Sequence, residues 1–306
     1  MPLLAVVGPT ATGKTPLAVA VAERLGGAEL LNADSRQVIR GLHVATCTPT
    51  AEELRGVPLH LVALHDPGEP FSVAEWLGHA RAALQDVESR GAQPILAGGT
   101  GLYVSALVDG LDLAAVPPDP ETRAARAAQP LEELAAELRR RDPQAAETTD
   151  LRNPRRVIRA LEILDARGAP LHRARSRGGG VAATLVGLDA PRDLHDALIE
   201  RRARTMFETG ALLDEVHSAL GRGVSRGALD SAGIGYREAL AVIDGQVTTE
   251  EAVAHTAQRT RRYARAQRTW FRKDRRIRWL ARGEGPVEPL VDEVLDALRE
   301  DARAGQ

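Results

Sequence analysis

An α/β fold, a parallel sheet with helices on its faces plus a helical insertion, is predicted by three features of this 306-residue sequence. Short apolar runs alternate with stretches of helical spacing in the N-terminal third, the pattern of buried parallel strands joined by crossover helices. The runs stop at glycine or aspartate, as strands do where their carboxyl ends open on a site. From 119 to 180 the chain turns rich in Ala, Arg and Glu, with helical periodicity and no strand signal.

Taken in order, Leu3–Val7 is the first strand, ended by Gly8. Leu17–Leu25 has helical spacing, with Pro16 tolerated in the first turn. Ala28–Ala33 is a second strand ending at Asp34, and Ser72–Ser89 is a helix with Ser72 as N-cap and Glu75 in capping-box position. Pro94–Ala97 is a strand stopped by Gly98 and Gly99. A proline-rich segment, Ala114–Pro120, opens the insertion and Gly178–Gly180 closes it, which assigns 1–118 plus 181–306 to the core and 119–180 to the insertion. Val181–Leu188 returns to strand character, Arg192–Val216 reads as one long helix and Gly221–Gly235 as a glycine-rich segment. Thr249 to about Lys273 is a helix and Ile277–Leu280 a last short strand.

Hydrophobic residues at 43% and charged residues at 27% are ordinary for a globular protein. No apolar stretch approaches the ~20 residues that span a bilayer, and the N-terminus carries no secretory pattern. No membrane partner is therefore expected; a cytoplasmic location, which the single cysteine also fits, and a monomer are expected as well. The single cysteine, Cys47, excludes an internal disulfide and a cysteine metal cluster, and no His or Asn/Asp partner is readable that would make it a nucleophile. A net charge of −2 excludes a uniformly basic nucleic-acid binder, but ten basic residues against one acid, Asp274, lie between Arg259 and Arg278. Such local basicity marks a surface for an anionic partner. Only two lysines occur, Lys14 and Lys273, so a lysine at a chosen position is informative.

Gly8, Pro9, Thr10, Ala11, Thr12, Gly13, Lys14 and Thr15 satisfy G-x-x-x-x-G-K-[ST], with a strand before and a helix after. In such a loop backbone N–H groups and the helix dipole hold phosphate oxygens, Lys14 adds a point charge and the Thr15 hydroxyl takes a Mg²⁺ position. The aspartate that usually ends a neighbouring strand and organises the metal in a hydrolytic NTPase is absent: Pro94–Ala97 runs into Gly-Gly-Thr-Gly. The acid instead is Asp34, about twenty residues past the loop, at the adjacent strand end. An acid placed across the cleft from the phosphates suits a general base or an acceptor-orienting group, and its plainer reading is the N-cap of a turn. Gly98–Gly101 reads either as a strand-to-helix turn or as a cleft wall with the Thr100 hydroxyl pointing in. Arg123 reads either as a lid arginine over the phosphates or as solvated surface.

Arg261, Arg265, Arg268 and Arg272 are spaced four, three and four apart and share one helix face, with Arg262 and Tyr263 beside them and Trp270 and Phe271 near the end. Few acids lie nearby in sequence, which favours phosphate-backbone binding over a solvated charge face. Arg152, Arg155, Arg156 and Arg159 form a second cluster in the insertion. Two basic clusters and an acid opposite a phosphate loop suggest a nucleic-acid acceptor and a phosphorylated donor.

With these pieces in place, the sequence resembles the tRNA dimethylallyltransferases, also called tRNA isopentenyltransferases, of bacterial type. Beyond the phosphate loop, the resemblance is carried by Asn32-Ala-Asp-Ser-Arg-Gln37, His60-Leu with His65-Asp-Pro67, Ala97-Gly-Gly-Thr-Gly-Leu-Tyr103, Asp119-Pro-Glu-Thr-Arg123 and Asn153-Pro-Arg-Arg156 with Arg159-Ala-Leu-Glu162. It continues in Gly233-Ile-Gly-Tyr-Arg-Glu238 and Gln267-Arg-Thr-Trp-Phe-Arg272. It implies a P-loop nucleotide-kinase-like core and transfer of a dimethylallyl group from dimethylallyl diphosphate to N6 of adenosine-37, just 3′ of the anticodon, with release of pyrophosphate. By the same resemblance Asp34 is the base on N6, and Thr10 contacts the bridging oxygen of the diphosphate. Lys14, Arg123 and the loop amides hold the departing pyrophosphate with Mg²⁺ at Thr15. Asp34, Ser35, Arg36, Gln37, Thr100, Arg123, Arg155, Arg156, Arg159, Gly233, Gly235, Tyr236, Arg237, Arg265, Arg268 and Arg272 bind the tRNA anticodon stem-loop. An unpaired loop base is the cheapest to extrude toward such a site.

Two positions depart from the family pattern: Ile39 stands where many relatives carry Tyr, and Thr48 where a Lys is frequent. Neither touches the phosphate loop or Asp34. A small-molecule P-loop kinase using Asp34 as base, and a nucleotide-dependent RNA-binding switch, are the competing readings.

Overall fold

A computed structural model of the chain describes residues 2–110, 119–167 and 179–304. The chain divides into two units, Met1–Val108 with Val181–Gln306, and Asp109–Gly180. The expected insertion boundary at 114–118, and Gly178 at its far end, lie outside the described residues.

The first unit opens with β1 (Leu3–Val7), α1 (Lys14–Leu25), β2 (Ala28–Asn32), α2 (Ala51–Leu54), β3 (Leu59–His60), α3 (Val73–Ser89), β4 (Gln93–Gly98) and α4 (Gly101–Val108). The second unit holds α5 (Pro120–Ala127), α6 (Leu131–Arg141), α7 (Pro143–Thr148) and α8 (Pro154–Arg167). The first resumes with β5 (Ala183–Asp189), α9 (Arg192–Glu208), α10 (Ala211–Gly221), α11 (Arg226–Ala232), α12 (Tyr236–Ile243), α13 (Thr249–Phe271), β6 (Arg278–Ala281) and α14 (Val291–Ala304).

The strands form one six-stranded sheet in the order β3-β2-β4-β1-β5-β6, every pair parallel. The register sets Val7 beside Gly98 on β4 and beside Gly187 on β5, and Asn32 beside Ala97. The segments that follow β1, β2, β4 and β5 therefore emerge along one edge, where open parallel sheets place their ligands. Strand residues alternate between two covered faces, which is why the runs read as continuously apolar. Leu4, Val6, Leu30, Ile95, Val186 and Leu188 pack with α1 and with Val291, Val294 and Leu298 of α14. On the other side α3 and α4 lie against β4, with Trp76 stacked on Tyr103 at 4.2 Å and its indole N–H donating to the Asn32 carbonyl. Ser72 and Glu75 form the capping box that starts α3, as their spacing predicts.

Three elements differ from expectation. The long helix over 192–216 is two helices, broken at Gly210, whose φ of 74° lies in the left-handed region. Glycine enters that conformation without the Cβ clash other residues meet, so the chain turns there despite unbroken helical spacing on either side. The segment 221–235 contains α11, capped by the Ser225 hydroxyl on Ala228 N, and α12 follows directly. Beyond the last expected strand, α14 adds a face of Val291, Val294, Leu295 and Leu298 to the core, at the i, i+3, i+4, i+7 spacing of an amphipathic helix.

The second unit has a small core of its own, built from Leu134, Leu138, Val157, Leu161 and Leu164. The Asp119 carboxylate caps α5 by accepting from Glu121 and Thr122 N–H groups. Glu162 is buried on α8 and takes two bonds from Arg123, both 2.8 Å, and one from Arg159 at 3.1 Å. No helix among the described residues is long and apolar enough to cross a membrane.

Candidate functional site

The phosphate loop turns tightly between β1 and α1. Gly8, Ala11 and Gly13 have φ of 137°, 63° and 91°, Thr12 Oγ1 donates to Pro9 O at 2.9 Å, and Lys14 Nζ donates to the same carbonyl at 2.6 Å. Removal from water lowers the Lys14 ammonium from its ordinary 10.5 to about 8, with Asp34 opposing the drop and Arg202 adding to it. With its bare N-terminal amides, α1 presents no side-chain cap and no acid in its first turn, the arrangement that leaves a helix start free for an anion. The Thr15 hydroxyl has no protein partner among the described residues, and none of them form a group of three or more acidic, His or Cys side chains able to hold a metal alone. That donor set fits a magnesium ion completed by phosphate oxygens and water.

Three side chains from distant segments fasten Thr10. Its N–H donates to Gln267 Oε1 at 2.8 Å, its hydroxyl accepts from Arg202 NH1 at 2.9 Å, and its carbonyl lies 2.8 Å from His195 Nε2. His195 Nδ1 is 2.9 Å from Arg268 NH2. Arginine has only donors, so Nδ1 is the acceptor and Nε2 carries the proton given to Thr10. Burial is the first cause holding this imidazole below its usual range, and the neighbouring Arg268 and Lys14 charges act the same way. Arg268 is in turn forked onto Asp189, at the end of β5, with contacts of 2.7 to 3.1 Å. Burial would raise the Asp189 carboxyl, but Arg268 and Arg272 outweigh it and hold it low.

Gln267 also donates to Gly99 O at 2.8 Å, so one buried amide ties the phosphate loop to the Gly98–Gly101 turn. That turn is glycine for reasons of space. A Cβ on Gly99 would lie 2.3 Å from Gln267 Nε2, and one on Gly101 would lie 2.2 Å from Trp270 Cδ1. The motif is thus a close-packed seat for α13. The Thr100 hydroxyl does not point free into the cleft: it accepts from Ser35 N at 2.9 Å and lies 3.2 Å from Ser35 Oγ.

Asp34 begins a fastened turn. Its Oδ1 accepts the Arg36 N–H at 2.9 Å, so the turn-capping role is real, while no described residue bonds to Oδ2. Arg36 NH1 donates to Ser231 O at 2.8 Å and Gln37 Nε2 to Cys47 O at 2.8 Å. Ser35, Arg36 and Gln37 thus fasten the turn that carries the half-buried Asp34. Asp34 and Thr10 line one cavity of about 220 Å³ with Arg36, Arg202, Asp230, Gly233, Arg259 and Tyr263. Burial first, and then the Asp34 charge, push the Tyr263 phenol up to about 12. Burial likewise raises the Cys47 thiol, which keeps it a thiol at neutral pH.

The arginine run is more paired than its neighbourhood in sequence suggests, because its acids come from other elements. Arg261 meets Asp196 and Glu200 of α9, Arg259 meets Glu238, and Arg272 meets Asp189 at 3.1 Å and stacks over Trp279 at 4.3 Å. Arg261, Arg265 and Arg268 do share a face. They line a second cavity of about 290 Å³ with Arg192 and His195, and Arg265 has no ion pair among the described residues. Tyr236 is fully buried and donates to Glu215 Oε1 at 2.8 Å, so it supports the Gly233–Gly235 turn from beneath. Arg237 is paired with Asp230. In the second unit Arg123 and Arg159 are bound to Glu162, whereas Arg155 and Arg156 are exposed at the start of α8. Ile39 is buried, and Thr48 Oγ1 bonds Thr46 Oγ1 at 3.0 Å.

Arg202, His195 and Asp189 are site residues that sequence inspection does not single out. They stand in unremarkable stretches: Arg202 and His195 meet the loop through contacts near two hundred positions apart, and Asp189 is joined to them only through Arg268. Gln267 sits inside a motif that its arginines dominate.

The family model described as IPP transferase matches residues 37–274 and one described as isopentenyl transferase matches residues 1–62. The chain belongs to the IPP transferase family. Among its relatives in that family, the tRNA dimethylallyltransferase of Anaeromyxobacter sp. (strain K) is 45% identical over 309 residues, covering 97% of this chain and 98% of the relative. The solved tRNA isopentenylpyrophosphate transferase of Bacillus halodurans is 36% identical with a TM-score of 0.72, covering 99% of both chains. A eukaryotic dimethylallyltransferase solved acting on tRNA shares the fold at a TM-score of 0.82 and 21% identity, over all of this chain and 80% of that one.

Proposed function

We propose that this IPP transferase moves a dimethylallyl group from dimethylallyl diphosphate to N6 of the adenosine just 3′ of the anticodon of tRNA, releasing pyrophosphate. The observation that carries the reading is the pairing, within one cavity, of a phosphate-loop residue held by Arg202 with a carboxylate of which one oxygen is unbonded among the described residues. The family and the names of its members supply the chemical identity of donor and acceptor.

In the reaction the N6–C1 bond forms as the C1–O bond breaks, the electron pair leaves with pyrophosphate, and an N6 proton passes to Asp34. Lys14, Arg202 and the amides of Ala11–Thr15 stabilise charge on the leaving group, where it develops. Thr15 would hold Mg²⁺, which when bound neutralises part of the pyrophosphate charge. Arg202 reaches Thr10 Oγ1, and together they suit the bridging oxygen. Arg123 is a candidate contact to the same group: its Nε and NH2 hold Glu162, and the NH1 donors are the ones it would offer. The exposed Arg155, Arg156 and Arg265 suit the phosphates of the anticodon stem, and the turns Asp34–Gln37 and Gly233–Gly235 suit an extruded base.

The test is incubation with labelled dimethylallyl diphosphate and unmodified tRNA bearing adenosines in its anticodon loop. Label in the RNA is expected. ATP consumption with no label in RNA would instead identify a kinase. Asp34→Asn should retain tRNA binding and lose about 100-fold or more of transfer, the usual range for a general base; transfer at the wild-type rate rejects Asp34 as the base.

A further inference from the structure

One wall of the cavity that contains Asp34 and Thr10 is apolar. Ile199, Ala203 and Met206 lie at i, i+4 and i+7 on α9 and so share a face. All three are buried and line the cavity, with Ala45 and Ile234 joining them. From the same helix Arg202 reaches Thr10 Oγ1. A prenyl diphosphate has an anionic head and a tail that must leave water, and this helix offers a cation for the head beside an apolar strip for the tail.

The tail can lengthen in two directions along that strip. Toward Ile199 it meets the second cavity, since Ile199 lines both. Beyond it stand Arg261, Arg265 and Arg268, where further carbons would strip water from guanidinium groups without replacing their hydrogen bonds. In the other direction the apolar strip of α9 that lines the cavity ends at Met206. Met206 lies four residues past Arg202, a little over one helical turn of about 5.4 Å, comparable to the extended reach of a five-carbon allyl group. Its unbranched, polarisable thioether fills an irregular space and contacts a flat alkene well.

Resting on the function proposed above, we propose that Met206 is the specificity-determining residue for donor chain length: its side chain occupies the space a second isoprene unit would need. Ile199 and Ala203 form the sides of the five-carbon slot.

The experiment measures kcat/KM for dimethylallyl diphosphate and for geranyl diphosphate, its ten-carbon homologue, with the same unmodified tRNA. Met206→Ala should raise the geranyl-to-dimethylallyl ratio by about tenfold or more, the discrimination one or two methylenes in an apolar pocket provide. An unchanged ratio in a folded variant overturns the assignment. Ala203→Leu is the independent arm, narrowing the slot beside Met206. It should raise KM for dimethylallyl diphosphate about tenfold and leave KM for tRNA where it was; an unaltered donor KM overturns the slot even if Met206→Ala does not fold. Absence of dimethylallyl transfer by the wild-type enzyme would reject the proposed function itself. Normal wild-type transfer with both variants inert rejects only the slot.

Discussion

Lys14 and His195 are both cationic residue types, yet both are shifted toward neutrality, chiefly by burial. For Lys14 the consequence is a pH dependence with a definite sign. Its free-enzyme value near 8 means that the ammonium is present below that pH and lost as pH rises through it, while a bound diphosphate favours the charged form. KM for dimethylallyl diphosphate should therefore rise by about 10- to 100-fold from roughly pH 7 to roughly pH 10, the worth of a hydrogen bond to a charged group. Lys14→Ala should start with the raised KM and lose that dependence. A wild-type KM that stays flat would remove Lys14 from the diphosphate site. The lysine was legible in the sequence because its motif is local. The burial that tunes it was not legible, nor was the smaller effect of the Arg202 charge, because Arg202 lies 188 positions away in a helix with no motif of its own.

At the scale of elements, α13 is seated on two turns at once through Gln267 and Trp270. Gly99→Ala would force Gln267 away from both Thr10 N and Gly99 O, leaving buried polar groups unpaired at about 1–3 kcal/mol each. A lower thermal midpoint and a higher donor KM are expected together. Ser72→Ala is the contrasting case: it removes the α3 capping box at about 1 kcal/mol and should lower stability without moving donor KM. A Gly99→Ala enzyme with wild-type donor KM would show that the Gln267 bridge does not position the phosphate loop. Both turns were visible as glycine clusters. Only the packed structure distinguishes their use, since a flexible turn and a close approach both call for the same residue.

Across the whole molecule the arginines separate into committed and uncommitted sets. Arg268 and Arg272 are spent on Asp189 and Arg123 on Glu162, while Arg155, Arg156 and Arg265 have no ion pair among the described residues. Binding of tRNA should weaken steeply with salt, and Arg155→Ala, Arg156→Ala and Arg265→Ala should each lower the log–log salt slope by about 0.7 to 0.9. Arg268→Ala should instead raise donor KM, through His195 and Thr10, with the slope little changed. Equal slopes in all variants would reject the exposed set as phosphate contacts. What could be read without a structure was the local chemistry: strand, phosphate loop and helix, the capping box of α3, the acid after β2, and the ordered motifs of the family. These depend on neighbours within a few residues, which a sequence displays directly. The break at Gly210, the α14 face of the core, the acids that neutralise the α13 arginines and the apolar strip ending at Met206 all depended on folding. Each is a contact between segments far apart in the chain, and such pairing is set by how helices pack on the sheet rather than by any spacing along it.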